Sequence, residues 1–202
     1  MSDNYKSPRS VPGPAFHFVG GTVLLLVLTL FLLPAKGYCS WQEVDTILAE
    51  AYGEEVARQC SDYYSGLNIP EGMVLSVREA IKRLVEAGYP SGCPLEYLKV
   101  AADLSRAGID LDDLTNKIRE GIAKKVEPQR LNRVLAQRAE ALKEGRVVVL
   151  ELEGSGVDFL NKQMAYSVMA DYLLRGISRD SIMEKVVQGD LGDYPALANL
   201  IR

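Results

Sequence analysis

The 202-residue chain predicts an all-α fold: a helical bundle or short helix-turn-helix array of six or seven helices, preceded by a signal or anchor segment. Three observations predict it. After residue 40, apolar residues recur three and four apart through most of the chain. The periodic segments are separated by glycine-based stops of the kind that close helices. A twenty-residue stretch occurs twice, each time spanning a helix end, a turn and a new helix.

The first helix opens at Ser40-Trp-Gln-Glu43, a capping box in which a serine hydroxyl and a glutamate three residues on satisfy free amides. Val44, Ile47, Leu48, Ala51 and Tyr52 give it one apolar face, and it is expected to reach about residue 63 with a bend at Gly53. Gly66, Pro70 and Gly72 predict a loop over 65–75. Ser76-Val-Arg-Glu79 reads as a second capping box, opening a helix that ends at Gly88. A turn over 89–94 is followed by helices near 95–107, 111–120, 128–144, 158–175 and 179–188. Pro128 suits a first turn, where its missing amide costs nothing. Leu131, Val134, Leu135, Ala139 and Leu142 form one apolar stripe. Val147–Leu152 is the one stretch that reads as a strand. A lone strand has unpaired edges, so it suggests homo-oligomer contact or a partner strand at 147–152.

The repeat sets ADLSRAGIDLDDLTNKIREG (102–121) against ADYLLRGISRDSIMEKVVQG (170–189) without a gap. Identities fall at Ala102/Ala170, Asp103/Asp171, Gly108/Gly176, Ile109/Ile177, Asp112/Asp180, Lys117/Lys185 and Gly121/Gly189. In each copy a glycine is placed to close a helix, an isoleucine packs back on it, and an acid stands at the next N-terminus. A second glycine is expected to end the second helix. The copies divide the chain into 38–145 and 157–202, either as two related halves split near 146–156 or as one compact domain.

Phe18–Leu33 contains no charged residue and follows Lys6 and Arg9. Pro34 then breaks the run, and Ala35 and Gly37 suit signal-peptidase pockets, so cleavage after Gly37 is expected. The alternative is an uncleaved anchor, for which ~20 apolar residues would be usual. Either outcome places 38–202 outside the cytoplasm: periplasmic or extracellular in a bacterium, or anchored at the membrane by 18–33.

Residues 38–202 carry 20 basic and 26 acidic side chains, a net of −6 that argues against general nucleic-acid binding. The single histidine, His17, lies in the leader. Imidazole-based nucleophile systems and zinc sites are thereby excluded from the body, and no metal or cofactor is expected. Three cysteines, Cys39, Cys60 and Cys93, suggest one disulfide in an exported protein. An unbroken helix over 41–60 would hold Cys39 and Cys60 ~30 Å apart, since each residue rises ~1.5 Å. Cys39–Cys93 is therefore the favoured pairing and Cys60–Cys93 the next. A break at Gly53 would reopen Cys39–Cys60.

Seven bases (Lys117, Arg119, Lys124, Lys125, Arg130, Arg133 and Arg138) and two acids lie within 117–138, giving this stretch a net of +5. Lys124, Lys125, Arg130 and Arg133 form the candidate surface for an anion or a partner. With no aromatic residue interleaved, stacking on nucleic acid is poorly supported. The leading functional expectation is an exported, non-catalytic helical protein of the cell envelope that acts through protein–protein contact. The alternatives are an envelope polysaccharide hydrolase using paired carboxylates, and a module binding anionic lipid or another anion through the basic patch.

Overall fold

The computed structural model describes residues 41–67 and 71–202. Among them are nine helices and no strand: α1 (Gln42–Tyr52), α2 (Glu54–Tyr64), α3 (Glu71–Glu86), α4 (Gly92–Arg106), α5 (Asp112–Ala123), α6 (Pro128–Gly154), α7 (Lys162–Leu174), α8 (Arg179–Gln188) and α9 (Pro195–Ala198). The leader, Cys39 and the Ser40 cap lie outside the described residues. The described residues form one compact unit.

The all-α expectation holds, with differences at particular boundaries. Gly53 separates α1 from α2, because its φ of 91° is one that side-chain-bearing residues seldom adopt. The 30 Å argument against Cys39–Cys60 assumed one continuous helix, so it no longer applies. Ser76 is no cap: α3 begins at Glu71 and carries Ser76 in its interior. The extra helices beyond seven come from the Gly53 break and from the short α9.

The largest correction concerns Val147–Leu152, which is helix and not strand. α6 runs through it from Pro128 to Gly154, so the region 146–156 proposed as a split is mostly interior helix. The three valines favour β structure locally, but burial decides the outcome. Leu131, Leu135, Ala139, Leu142, Gly145, Val149 and Leu152 recur at three- and four-residue steps, and all are buried. The backbone amides of 147–152 serve α6 itself, so strand-edge pairing with a second copy loses its basis. Val147 and Leu150 face solvent.

α4 is the central helix. It buries Cys93, Pro94, Tyr97, Leu98, Val100, Ala101, Ala102 and Leu104, and packs against α2, α3 and α6. α1 and α3 complete one side, where Trp41 stacks on Tyr64 with ring centroids 4.4 Å apart. α6, α7 and α8 make the other, and α6 with α7 is the most extensive helix pair. Their crossing depends on Gly145. A Cβ there would lie 2.7 Å from the Tyr166 carbonyl oxygen and 3.1 Å from the Ala170 amide nitrogen. The C-terminal tail closes over α7, with Phe159 and Ile201 forming an antiparallel bridge.

The two repeat turns have the same hydrogen-bond pattern. Gly108 N–H donates to the Ser105 carbonyl (2.9 Å) and Ile109 N–H to Leu104 (3.0 Å). Gly176 N–H donates to Leu173 (2.9 Å) and Ile177 N–H to Tyr172 (3.1 Å). This is the Schellman closure. Asp112 and Asp180 stand in the first turn, where an acid suits the helix dipole as expected, but neither makes a side-chain cap. Ser178 caps α8, its hydroxyl accepting from the Ser181 amide at 3.2 Å. Gly189 ends α8, but Gly121 does not end α5, which continues to Ala123. Gly121 is small because Leu131 packs on it: a Cβ would meet Leu131 Cδ1 at 2.6 Å.

Two glycines of α6 should respond oppositely to alanine. Gly145→Ala must push α7 backbone aside and is expected to destabilise by about 1–3 kcal/mol. Gly154→Ala meets nothing within 4 Å and should be neutral or stabilising by up to ~1 kcal/mol. Urea unfolding of both variants checks the pair.

Candidate functional site

The bases of 117–138 do not form one surface. Arg138 leaves it entirely, being 4% exposed. It occupies a position of the apolar stripe, three residues after Leu135 and four before Leu142. Its guanidinium donates through Nε to Asp113 Oδ1 (2.7 Å), through Nη2 to Asp113 Oδ2 (2.5 Å) and through Nη1 to Asp171 Oδ1 (2.6 Å). The Ser167 hydroxyl donates to Asp113 and lies 3.0 Å from Arg138 Nη2. This cluster ties α5, α6 and α7 together. Burial alone would raise the Asp113 carboxyl. The Arg138 and Ser167 hydrogen bonds and the nearby positive charges outweigh burial and hold it below the usual carboxylate range. Burial opposes the Arg138 charge as well, and its two carboxylate partners more than restore it.

Lys117 pairs with Glu120 at 3.4 Å, and Lys124 reaches the same carboxylate at 3.7 Å. Arg119 hydrogen-bonds Asn116. Lys125, Arg130 and Arg133 make no ion pair with any described residue. With Lys124 they are exposed at the corner where α5 gives way to α6. The structure therefore brings the four predicted surface residues onto one short stretch and removes Arg138 from it.

This corner has a feature that spacing alone does not reveal. The α5–α6 connection borders an open groove of about 480 Å³ lined by Ala87, Gly88, Tyr89, Ile122, Lys125, Val126, Glu127 and Pro128. Tyr89 fixes one wall of it. Its hydroxyl donates to the Val126 carbonyl at 2.7 Å, and its own carbonyl accepts from the Tyr52 hydroxyl at 2.5 Å. Burial raises both phenols, so they stay neutral donors at physiological pH. Tyr89 could be anticipated only as a helix-stop neighbour, because its partners lie 32–37 residues away.

A second concavity, about 350 Å³, lies beside the first repeat turn and is lined by Asp110, Asp112, Asp113, Asn116, Asn161 and Gln163 among others. Gln163 braces it, accepting from the Asp110 amide (3.0 Å) and donating to the Gly108 carbonyl (2.9 Å). Burial, and then the Asp112 charge, raises the Asp110 carboxyl. Asp113 is already committed to Arg138. Among the described residues no group of three or more metal-ligating side chains is placed to hold an ion.

Cys60 and Cys93 carry free, buried thiols, so the expected Cys60–Cys93 alternative is not formed. No disulfide joins described residues, and Cys39, the other half of the favoured pairing with Cys93, lies outside them. Burial, with a smaller contribution from the Asp45 charge, pushes the Cys60 thiol up to about 12, and burial raises Cys93 as well. Neither is poised as a thiolate nucleophile.

No protein-family model matches the chain, and neither does any curated protein or any solved structure. The assignment of a role therefore rests on the chain itself.

Arg138→Leu leaves Asp113 without its main partner and should cost about 3–5 kcal/mol, with Asp113→Asn in the same background recovering part of the loss. Because the folded carboxyl titrates below its unfolded value, its contribution is complete above pH ~4 and disappears as pH falls through the folded value. Urea denaturation across pH 7 to 2.5 should accordingly show a flatter acid limb for Asp113→Asn than for wild type.

Proposed function

We propose that the chain is an exported, non-catalytic helical protein of the cell envelope that holds another protein at the basic corner between α5 and α6. One observation carries this reading. Lys125, Arg130 and Arg133 are exposed and make no ion pair with any described residue, and Lys125 lines a groove with apolar surface. In a body with a net charge of −6, such a corner is complementary to an anionic partner surface. Export is inferred from the charge-free run Phe18–Leu33 and the small residues after it. No helix among the described residues is long and apolar enough to cross a membrane.

The test is made in the native host with a photo-crosslinking residue at position 129, next to Arg130. Expected is a leaderless envelope protein beginning at Tyr38, or an anchored one, that crosslinks to a discrete protein. The crosslink should be lost when Lys124, Lys125, Arg130 and Arg133 are all alanine. Recovery in the cytosol, or a crosslink indifferent to those four changes, would refute the reading. Salt-dependent binding to anionic vesicles, abolished by the same changes and with no protein crosslink, would instead favour the lipid-binding alternative.

The polysaccharide-hydrolase alternative draws on the second concavity, where burial and the Asp112 charge raise the Asp110 carboxyl. If that reading is right, purified protein releases soluble sugar fragments from cell-wall polysaccharide and Asp110→Asn abolishes the release. Absence of release by wild type removes it.

A further inference from the structure

We propose that the groove beside Lys125 is a peptide-docking site whose occupant is an acidic segment of a partner protein carrying one apolar side chain. This rests on the contact reading above and narrows it to one pocket and one chemistry.

The first argument is conformational. Six helix ends share the same pair of closing hydrogen bonds, those at Gly88, Gly108, Lys125, Gly156, Gly176 and Gly189. Five of them use glycine at the position that must turn left-handed. The sixth uses Lys125, with φ 51°, and it is the one non-glycine residue with positive φ among the described residues. A side chain there is strained relative to glycine. Lys125 is exposed and makes no ion pair with any described residue, so inside the fold its charge has only the general preference for a cation at a helix C-terminus. What the lysine provides is a cation on the wall of the groove.

The second argument is the shape and chemistry of the groove. Ala87, Ile122, Val126 and Pro128 give it apolar surface, and Tyr89 anchors Val126 through the 2.7 Å hydrogen bond. Pro128 sits in the first turn of α6 with its φ set by the ring. The groove is thus formed before anything enters it, which lowers the cost of binding. A concavity of about 480 Å³ takes a protruding side chain, which a flat headgroup layer does not offer.

Charge then selects the occupant. Lys125 lines the groove, and Lys124, Arg130 and Arg133 are exposed on the same stretch of chain. Glu127 lines the groove itself, which disfavours a continuous polyanionic surface there. A peptide can place an apolar side chain on the floor and a carboxylate against Lys125 while leaving Glu127 in water. A membrane or a nucleic acid cannot vary its charge over so short a distance.

The test pans a displayed random peptide library on the full chain, then titrates the enriched peptide, labelled with fluorescein, against variants and against phosphatidylglycerol vesicles as competitor. Expected is a consensus with Asp or Glu within three residues of a Leu, Ile, Met or Phe. Lys125→Gly should weaken binding by about tenfold or more while raising the melting temperature by roughly 2–4 °C, because glycine suits the turn. Lys125→Arg should keep most of the affinity. Loss of binding together with a gain in stability cannot come from damage to the fold. A neutral or basic consensus, no enrichment at all, or Lys125→Gly binding as tightly as wild type would overturn the proposal, as would displacement by vesicles of a peptide that ignores position 125. In cells the two readings separate. If the four-alanine variant loses its crosslink and Lys125→Gly keeps it, the corner still binds a protein but the groove does not. If neither variant changes the crosslink, both readings fall.

Discussion

A buried guanidinium governs how the second half of this molecule is put together. Arg138 sits in the apolar face of the longest helix, where an isolated charge would be prohibitive. It is tolerable because α5 delivers Asp113 to two of its nitrogens and α7 delivers Asp171 to a third. The three helices cannot slide or rotate independently without breaking the hydrogen bonds of a buried guanidinium. Ion pairs of this kind add little net stability over a well-packed apolar substitute. What they impose is register. Asp171 belongs to the first turn-bearing segment of the second repeat copy and Asp113 to the second helix of the first copy, so the cluster joins the copies through α6. The corresponding acid of the first copy, Asp103, serves only a surface pair with Arg106. The duplicated sequence is thus used asymmetrically.

The helical class, the Pro128 start and the stops at Gly88, Gly108, Gly176 and Gly189 were legible because each depends on a local property of the backbone, whereas at Gly53 only a bend was expected and the structure has a break. A missing Cβ or a missing amide acts within one turn of itself. Val147–Leu152 was not legible for the opposite reason. Its local preference is β, and only the burial of Val148, Val149 and Leu152 against neighbouring helices keeps it helical. Ser76 misled in the same way: the capping-box pattern is present, but α3 had already begun at Glu71. Arg138 could have been set apart from the surface bases, since it falls in phase with Leu131, Leu135 and Leu142. Linear charge counting hid that phase. The partners of Tyr89 could not be read at all, because two helices separate it from Tyr52 on one side and from Val126 on the other.

Lys125 combines both kinds of information. The hydrogen-bond pattern around it is the same local motif found at five glycines, so the backbone there is dictated by helix closure. The residue type departs from what closure favours. A local rule broken at an exposed residue, with no ion pair to any described residue, is where selection for something outside the fold would be expected. The glycines at the equivalent turns act as internal controls, since they show what the same backbone accepts when only folding is at stake.

The position of the corner gives this argument its mechanical sense. α5 is held to α6 and α7 through Asp113, and its far end is held to the α3–α4 turn through Tyr89 and the Val126 carbonyl. The loop carrying Lys124 and Lys125 is therefore braced from both sides of the molecule. A flexible loop with the same charges could meet an anion equally well but would lose entropy in doing so. A braced loop loses less, at the cost of accepting only partners whose apolar and acidic groups match its fixed spacing. Such a trade suits recognition of one partner over many similarly charged surfaces, and it links the buried arginine to the exposed lysine through a single rigid helix.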